Sequence, residues 1–210
     1  MRRTQWRYLL LALSMQCPSL FQPASVYGAE FVLMPDPEDL TGTNGDFASI
    51  QAALDTAEDG DVITLLSGTY LVNLRFPRKS IMLRGEPGEE RGARLDGSQC
   101  SRIEEGFQRC SVIVFDWSFD GGELVADFAP ILEDLMIVGG RGSEYGEQPT
   151  DSAGYGGGLM VIEANPTLNR TSIVGNESRH YGGGISLIHS SPILDDCWIA
   201  WVYGCGVHRA

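Results

Sequence analysis

Gly156-Gly157-Gly158-Leu159 returns 26 residues later as Gly182-Gly183-Gly184-Ile185. At the same offset Pro166 matches Pro192, Leu168 matches Leu194 and Ile173 matches Ile199. A further start, Gly204-Cys205-Gly206-Val207, follows after 22 residues. Upstream, Pro130-Ile131-Leu132-Glu133-Asp134-Leu135-Met136-Ile137 keeps the same spacing of Pro, Leu and Ile. Short, β-branched units punctuated by glycine at this period read as a solenoid of stacked β coils. Leu132, Leu168 and Leu194 are then expected to face inward one above another. So are Ile137, Ile173 and Ile199, and Leu159, Ile185 and Val207. Thr167, next to Leu168, should point outward, because successive strand residues face opposite sides.

The composition agrees. Glycine is 26 of 210 residues and charged residues are only 20%, which suits a turn-rich β protein and argues against disorder. The net charge is −13, and Lys79 is the single lysine. Such a surface repels phosphate backbones, so nucleic acid is excluded as a partner. An anionic glycan would need a local basic patch or bridging cations.

Residues 1–28 have the pattern of a secretory signal. Arg2, Arg3 and Arg7 open it, Tyr8 to Met15 is a short apolar run, and Val26 and Gly28 are small residues at the cleavage-determining positions. The run is too short for a bilayer, which needs roughly 20 apolar residues, so no membrane span is expected. A lipoprotein reading through Cys17 is weaker, because Gln16 stands where a small residue belongs. Loss of residues 1–28 removes three arginines and no acid, taking the charge from −13 to −16. Residues 29–45 form an extended lead-in. Asp46 is the expected N-cap of a short helix through about Glu58, with Phe47, Ile50, Leu54 and Ala57 on one apolar face. Such a helix can cover the exposed end of the first coil. Val62 to Leu66 then opens a strand.

Four stretches carry a family resemblance: Phe47 to Leu54, Asp59 to Ile63, Ser67-Gly68-Thr69-Tyr70, and Lys79 to Gly85. They resemble the N-terminus of right-handed parallel β-helix proteins of the pectin-lyase-like superfamily. Ser190-Ser191-Pro192-Ile193-Leu194, with Cys197 and Ile199, is similar to their coil repeat. The resemblance implies an all-β fold: a right-handed parallel β-helix, a three-sheet solenoid with a short N-terminal capping helix, over residues 46–210. It marks the fold and no single activity, since the superfamily holds lyases, esterases, polygalacturonases and proteins without chemistry. The repeat breaks off inside a coil, so the domain is expected to be incomplete at its C-terminus, with an open end able to self-associate.

Arg94 to Gly97 and Ser111 to Phe115 supply further strands. Between them Cys100 and Cys110 bracket a polar loop, and in an exported protein this spacing suggests a disulfide worth roughly 2–3 kcal/mol. Cys197 falls in register with Leu135 and Thr171 and is expected to face the core; Cys205 pairs with it or stays a thiol. Asp116 to Asp127 and Gly139 to Tyr155 are insertions of the kind that wall a groove.

Four residues are candidates for chemistry. Asp195-Asp196 resembles the acid pair of polygalacturonases, but Glu133-Asp134 and Asn169-Arg170 hold the same positions in other coils, as a solvated turn would. The Asn-Thr-Asp and Arg-Ile-Lys motifs of that family are absent. A calcium-dependent lyase needs clustered carboxylates and an arginine base. Arg170 and Arg179, with Glu163, Glu177, Asp195 and Asp196 nearby in sequence, supply the types without matching a family motif. His180, His189 and His208 show no metal-ligand spacing. Asp55 to Gly60 lacks two ligands of a calcium loop, and the glycine triplets lack the Lys-Ser/Thr of a phosphate cradle. Asn169-Arg170-Thr171 and Asn176-Glu177-Ser178 are glycosylation sequons. The expectation is a secreted, periplasmic or cell-surface module, non-catalytic and without cofactor, that meets polysaccharide or a surface protein. The alternative is a polysaccharide lyase or hydrolase acting on acidic glycans, with calcium as the possible cofactor.

Overall fold

The structure is a computed structural model that describes residues 28–39, 41–88, 92–100, 109–117, 128–144, 154–200, 202–203 and 207–209. Residues 1–27 of the stretch read as a leader, residues 118–127 and 145–153 of the two insertions, and Cys205 lie outside the described residues.

Three sheets, parallel but for one hairpin, make up most of the described chain. The first has the order 193–195, 167–169, 131–133, 82–85, 62–65, 30–35 and 43–45. Its last pair, Glu30–Pro35 with Thr43–Gly45, is antiparallel. The second runs 198–200, 172–174, 135–138, 93–96 and 68–71, and the third 207–209, 185–188, 159–162, 113–116 and 74–75. From Val62 to Arg209 the chain enters the three sheets in turn, in five passes. This topology is compatible with a β-helix solenoid.

The ladders read from the repeat are in register. Ile63, Leu83, Leu132, Leu168 and Leu194 pair successively in the first sheet. Tyr70, Leu95, Ile137, Ile173 and Ile199 do so in the second, and Leu74, Ile113, Leu159, Ile185 and Val207 in the third. All but the last rung are buried in one continuous core. Each buried aliphatic side chain contributes about 2 kcal/mol. On the final pass Leu194 and Val207 are 42% and 46% exposed, and Trp198 is 66% exposed. Thr167 is half-buried beside Leu168, and the strand alternates as expected.

Why the third sheet reads as unbroken apolar runs is clear from its packing. Ile113, Phe115, Leu159, Val161, Ile185 and Leu187 belong to the core, while Val114, Met160, Ile162 and Ile188 form a second buried cluster with Tyr155. Both faces are covered, so alternation is lost. Gly156 and Gly182 enter this sheet with φ of 57° and 60°, a conformation that favours glycine. Gly157 has another reason: a Cβ there would strike the carbonyl oxygens of Gly183 and Glu177.

The helix spans Ile50–Thr56 and buries Ile50, Ala53 and Leu54. Its N-cap is Ser49, not Asp46: the Ser49 hydroxyl accepts the Ala52 N–H at 3.1 Å. Asp46 instead accepts the Val32 N–H at 2.7 Å, holding the hairpin of the lead-in. Serine wins because its extended backbone lets its side chain reach the third following amide. At the other end Lys79 Nζ donates to the carbonyls of Asp55 and Ala57, at 2.9 and 2.6 Å, where a cation complements the helix dipole. Residues 30–35, read as lead-in, pair in parallel with Val62–Leu65 and so extend the first sheet. Buried Tyr70 is satisfied, donating to Leu66 and Leu33 carbonyls at 2.8 and 3.1 Å. Burial pushes its phenol well above the ordinary range.

Candidate functional site

The acids and arginine of the repeat meet at the corner between the first and second sheets. Asp134, Arg170 and Asp196 occupy equivalent positions there and share a left-handed backbone, with φ of 53°, 45° and 49°. Arg170 Nε and Nη2 each donate to Asp134 at 2.8 Å, and Nη2 also contacts Glu133 at 2.8 Å. This fork-on-fork pairing is the arrangement a guanidinium prefers. The hydrogen bond to Asp134, and then that to Glu133, raise the Arg170 pKa further above its ordinary value. A lyase base must do the reverse and release its proton near neutrality. Asp195 and Asp196 lie exposed on the next coil. The Asp195 carbonyl accepts the Arg170 N–H at 2.9 Å. Arg179 is exposed on a different turn, after the second sheet, and has no ion pair among the described residues. The structure therefore brings Arg170 to Glu133 and Asp134, and does not bring Arg179 to them.

Cys100 and Cys110 are joined as a disulfide, with their Cα atoms 5.1 Å apart. Cys197 is a thiol, half-buried against the core, donating to the Leu168 and Asp195 carbonyls at 3.3 Å. Thr171 makes the equivalent bonds one coil earlier, to Leu132 and Asn169. Of the two sequons, the second does not present an open acceptor, while Asn169 of the first is half-buried. Asn176 is fully buried with its amide engaged, and the Thr171 hydroxyl is bound to backbone.

A cleft that sequence reading did not single out lies between the helix and the start of the third sheet. It has a volume of about 260 Å³ and is lined by Gln51, Asp55, Arg75, Phe76, Pro77, Arg78, Asp116 and Trp117. Gln51 fixes its geometry: Nε2 donates to Asp55 Oδ1 at 2.8 Å and to the Arg75 carbonyl at 2.9 Å, and Oε1 accepts the Arg75 N–H at 2.9 Å. Phe76 stacks on Phe115 at 4.7 Å, and Trp117 meets Phe115 edge-on at 6.3 Å. The Trp117 indole N–H points at the Phe76 carbonyl, 3.4 Å away. The aromatic wall is thus anchored in the core, while Asp55 and Arg75 stand exposed at the rim. One sequence signal did exist. Arg75, Arg78 and Lys79 fall within five residues, the densest cationic run after residue 28. Among the described residues no three His, Cys, Asp or Glu side chains converge as a metal site would require.

No helix among the described residues is long and apolar enough to cross a membrane. Compared with protein-family models, curated proteins and solved structures, the chain finds no match.

Proposed function

We propose that the chain is a right-handed parallel β-helix of the pectin-lyase-like kind, exported from the cell, that binds a neutral glycan without cleaving it. The cleft beside the helix carries this reading. Its rim sets exposed Asp55 and Arg75 close together over a floor held rigid by buried Phe76 and Trp117, and a few convergent polar groups of both signs suit sugar hydroxyls. At a net charge of −13 the protein disfavours a polyanionic glycan. In-register ladders through five passes support the β-helix, and the disulfide supports an oxidising compartment. A protein partner on the same flank belongs to the same reading of the chain as a surface module.

The test is binding of the exported protein to an array of neutral and acidic oligosaccharides, repeated with Arg75→Ala and Asp55→Asn. Both residues are exposed, so the fold should survive. Expected is selective binding of neutral glycans, weakened about tenfold or more in each variant, the size of one lost charge-assisted hydrogen bond. Equal binding by all three proteins overturns the cleft. Unsaturated product from polygalacturonate or alginate that needs calcium and is lost in Arg170→Ala or Arg179→Ala would establish a lyase instead. New reducing ends lost in Asp195→Asn or Asp196→Asn would establish a hydrolase.

A further inference from the structure

Asp61 is a buried carboxylate, 7% exposed, placed just before the strand Val62–Leu65. Its Oδ1 accepts the backbone N–H of Ala29 at 2.6 Å, and its Oδ2 that of Glu58 at 2.8 Å. The next contacts in both directions hold the same junction. The Gly28 N–H reaches the Gly60 carbonyl at 3.1 Å, and the Val62 N–H reaches the Ala29 carbonyl at 2.8 Å. A Cβ on Gly28 would collide with Asp61 itself. The peptide bond between Gly28 and Ala29 therefore lies directly against the Asp61 carboxylate. The same bond follows Val26 and Gly28, the two small residues that mark a leader for removal.

We propose that hydrolysis of the Gly28–Ala29 bond during export places the new α-ammonium of Ala29 on the Asp61 carboxylate, so that processing itself fastens the first strand. The inference rests on the export reading given above. The co-reactants are water and a membrane-associated signal peptidase. The amide C–N bond breaks, and the Gly28 carbonyl carbon takes the water oxygen and leaves with the leader as a carboxylate. The Ala29 nitrogen takes up the protons and becomes an ammonium. Atoms and charge balance, with one cation and one anion formed from a neutral amide. At Asp61 a neutral donor is replaced by a charged one in the same place, and charge-assisted hydrogen bonds are roughly twice as strong as neutral ones. Asp61 is buried and Ala29 exposed, so the pair is part-buried and solvent screens it only in part. Ala29 leads into Glu30–Pro35, which pairs in parallel with Val62–Leu65, so the ion pair sits where that strand joins the sheet.

The experiment expresses the full chain with its own leader, isolates the exported protein and determines its first residue by intact mass. Expected is a start at Ala29. The thermal midpoint of this form is compared with that of a form retaining Gly28, in the wild-type and Asp61→Asn backgrounds. Expected is a midpoint about 3 °C higher for the form starting at Ala29, with the difference lost in Asp61→Asn. Should Asp61→Asn fail to fold, the rate of acylation of the Ala29 amine at pH 7 decides instead. It should be about tenfold slower in the folded than in the urea-unfolded protein, equivalent to one pKa unit of protection. Cleavage at another bond, equal midpoints, or equal acylation rates would each overturn the proposal. A chain retained inside the cell with its leader uncut would overturn the export reading with it, whereas an exported chain cut elsewhere would leave export standing.

Discussion

Leu168→Asp is expected to destabilise the protein by about 4 kcal/mol or more, while Thr167→Asp one position away stays within about 0.5 kcal/mol of wild type. Leu168 is 1% exposed and pairs in register with Leu132 on one side and Leu194 on the other. Removing its side chain from the core forfeits about 2 kcal/mol of transfer free energy. The new carboxylate would have apolar neighbours in its own ladder and no cation, so it must ionise at high cost or bind a proton. Thr167 shares its strand but faces outward, where its register neighbours are Ile131 and Ile193. An aspartate there stays hydrated. Urea melts of the two variants decide the matter, because the residues differ in face and hardly at all in position. Equal midpoint shifts would mean that the alternation assigned to this strand is wrong, and with it the inward ladder.

That ladder was legible in the sequence because a coil repeat copies its inward positions at a fixed offset. Pro166 and Pro192, Leu168 and Leu194, and Ile173 and Ile199 need only be aligned to give the register that the strands adopt. The helix was legible from its apolar spacing, but its start was not. Asp46 and Ser49 are both good caps, and only the hairpin that engages Asp46 breaks the tie. The corner acids were legible as a recurring turn. Their ionic pairing was not, because Arg170 reaches Asp134 across 36 residues of sequence. The cleft was the least legible. Its walls come from the helix, from residues 75–78 and from residues 116–117, three segments with no shared motif, brought together only by coil stacking. Asp61 was hidden for a similar reason: within Asp59-Gly60-Asp61 it reads as a turn residue, and its contact with Ala29 spans 32 positions.

Asn176→Ala should cost about 3 kcal/mol, far more than the same change at Asn165. Both asparagines lie in turns of the repeat region, yet their surroundings differ. Asn176 is 0% exposed. Its Oδ1 accepts the Gly140 N–H at 2.9 Å, and its Nδ2 donates to the carbonyls of Ile137 at 2.9 Å and Val174 at 3.2 Å. One side chain thus ties its own coil to the preceding one at the exit of the second sheet. Alanine would strip these backbone groups of partners in a place that water cannot reach, and each buried group left unpaired costs about 1–3 kcal/mol. Asn165 is exposed and accepts one N–H, from Ser191 at 2.6 Å. Water can replace it there, so the expected loss is about 1 kcal/mol or less. Asn176→Asp separates acceptor from donor: it can keep the bond to Gly140 but loses both bonds to carbonyls and points an anion at them, so it should be at least as damaging as alanine. Denaturant melts give the three stabilities, and amide exchange at Gly140 gives the local readout. Protection at Gly140 should fall in Asn176→Ala and be unchanged in Asn165→Ala. Matching losses at the two sites would show that the Asn176 side chain is not the tie between the coils.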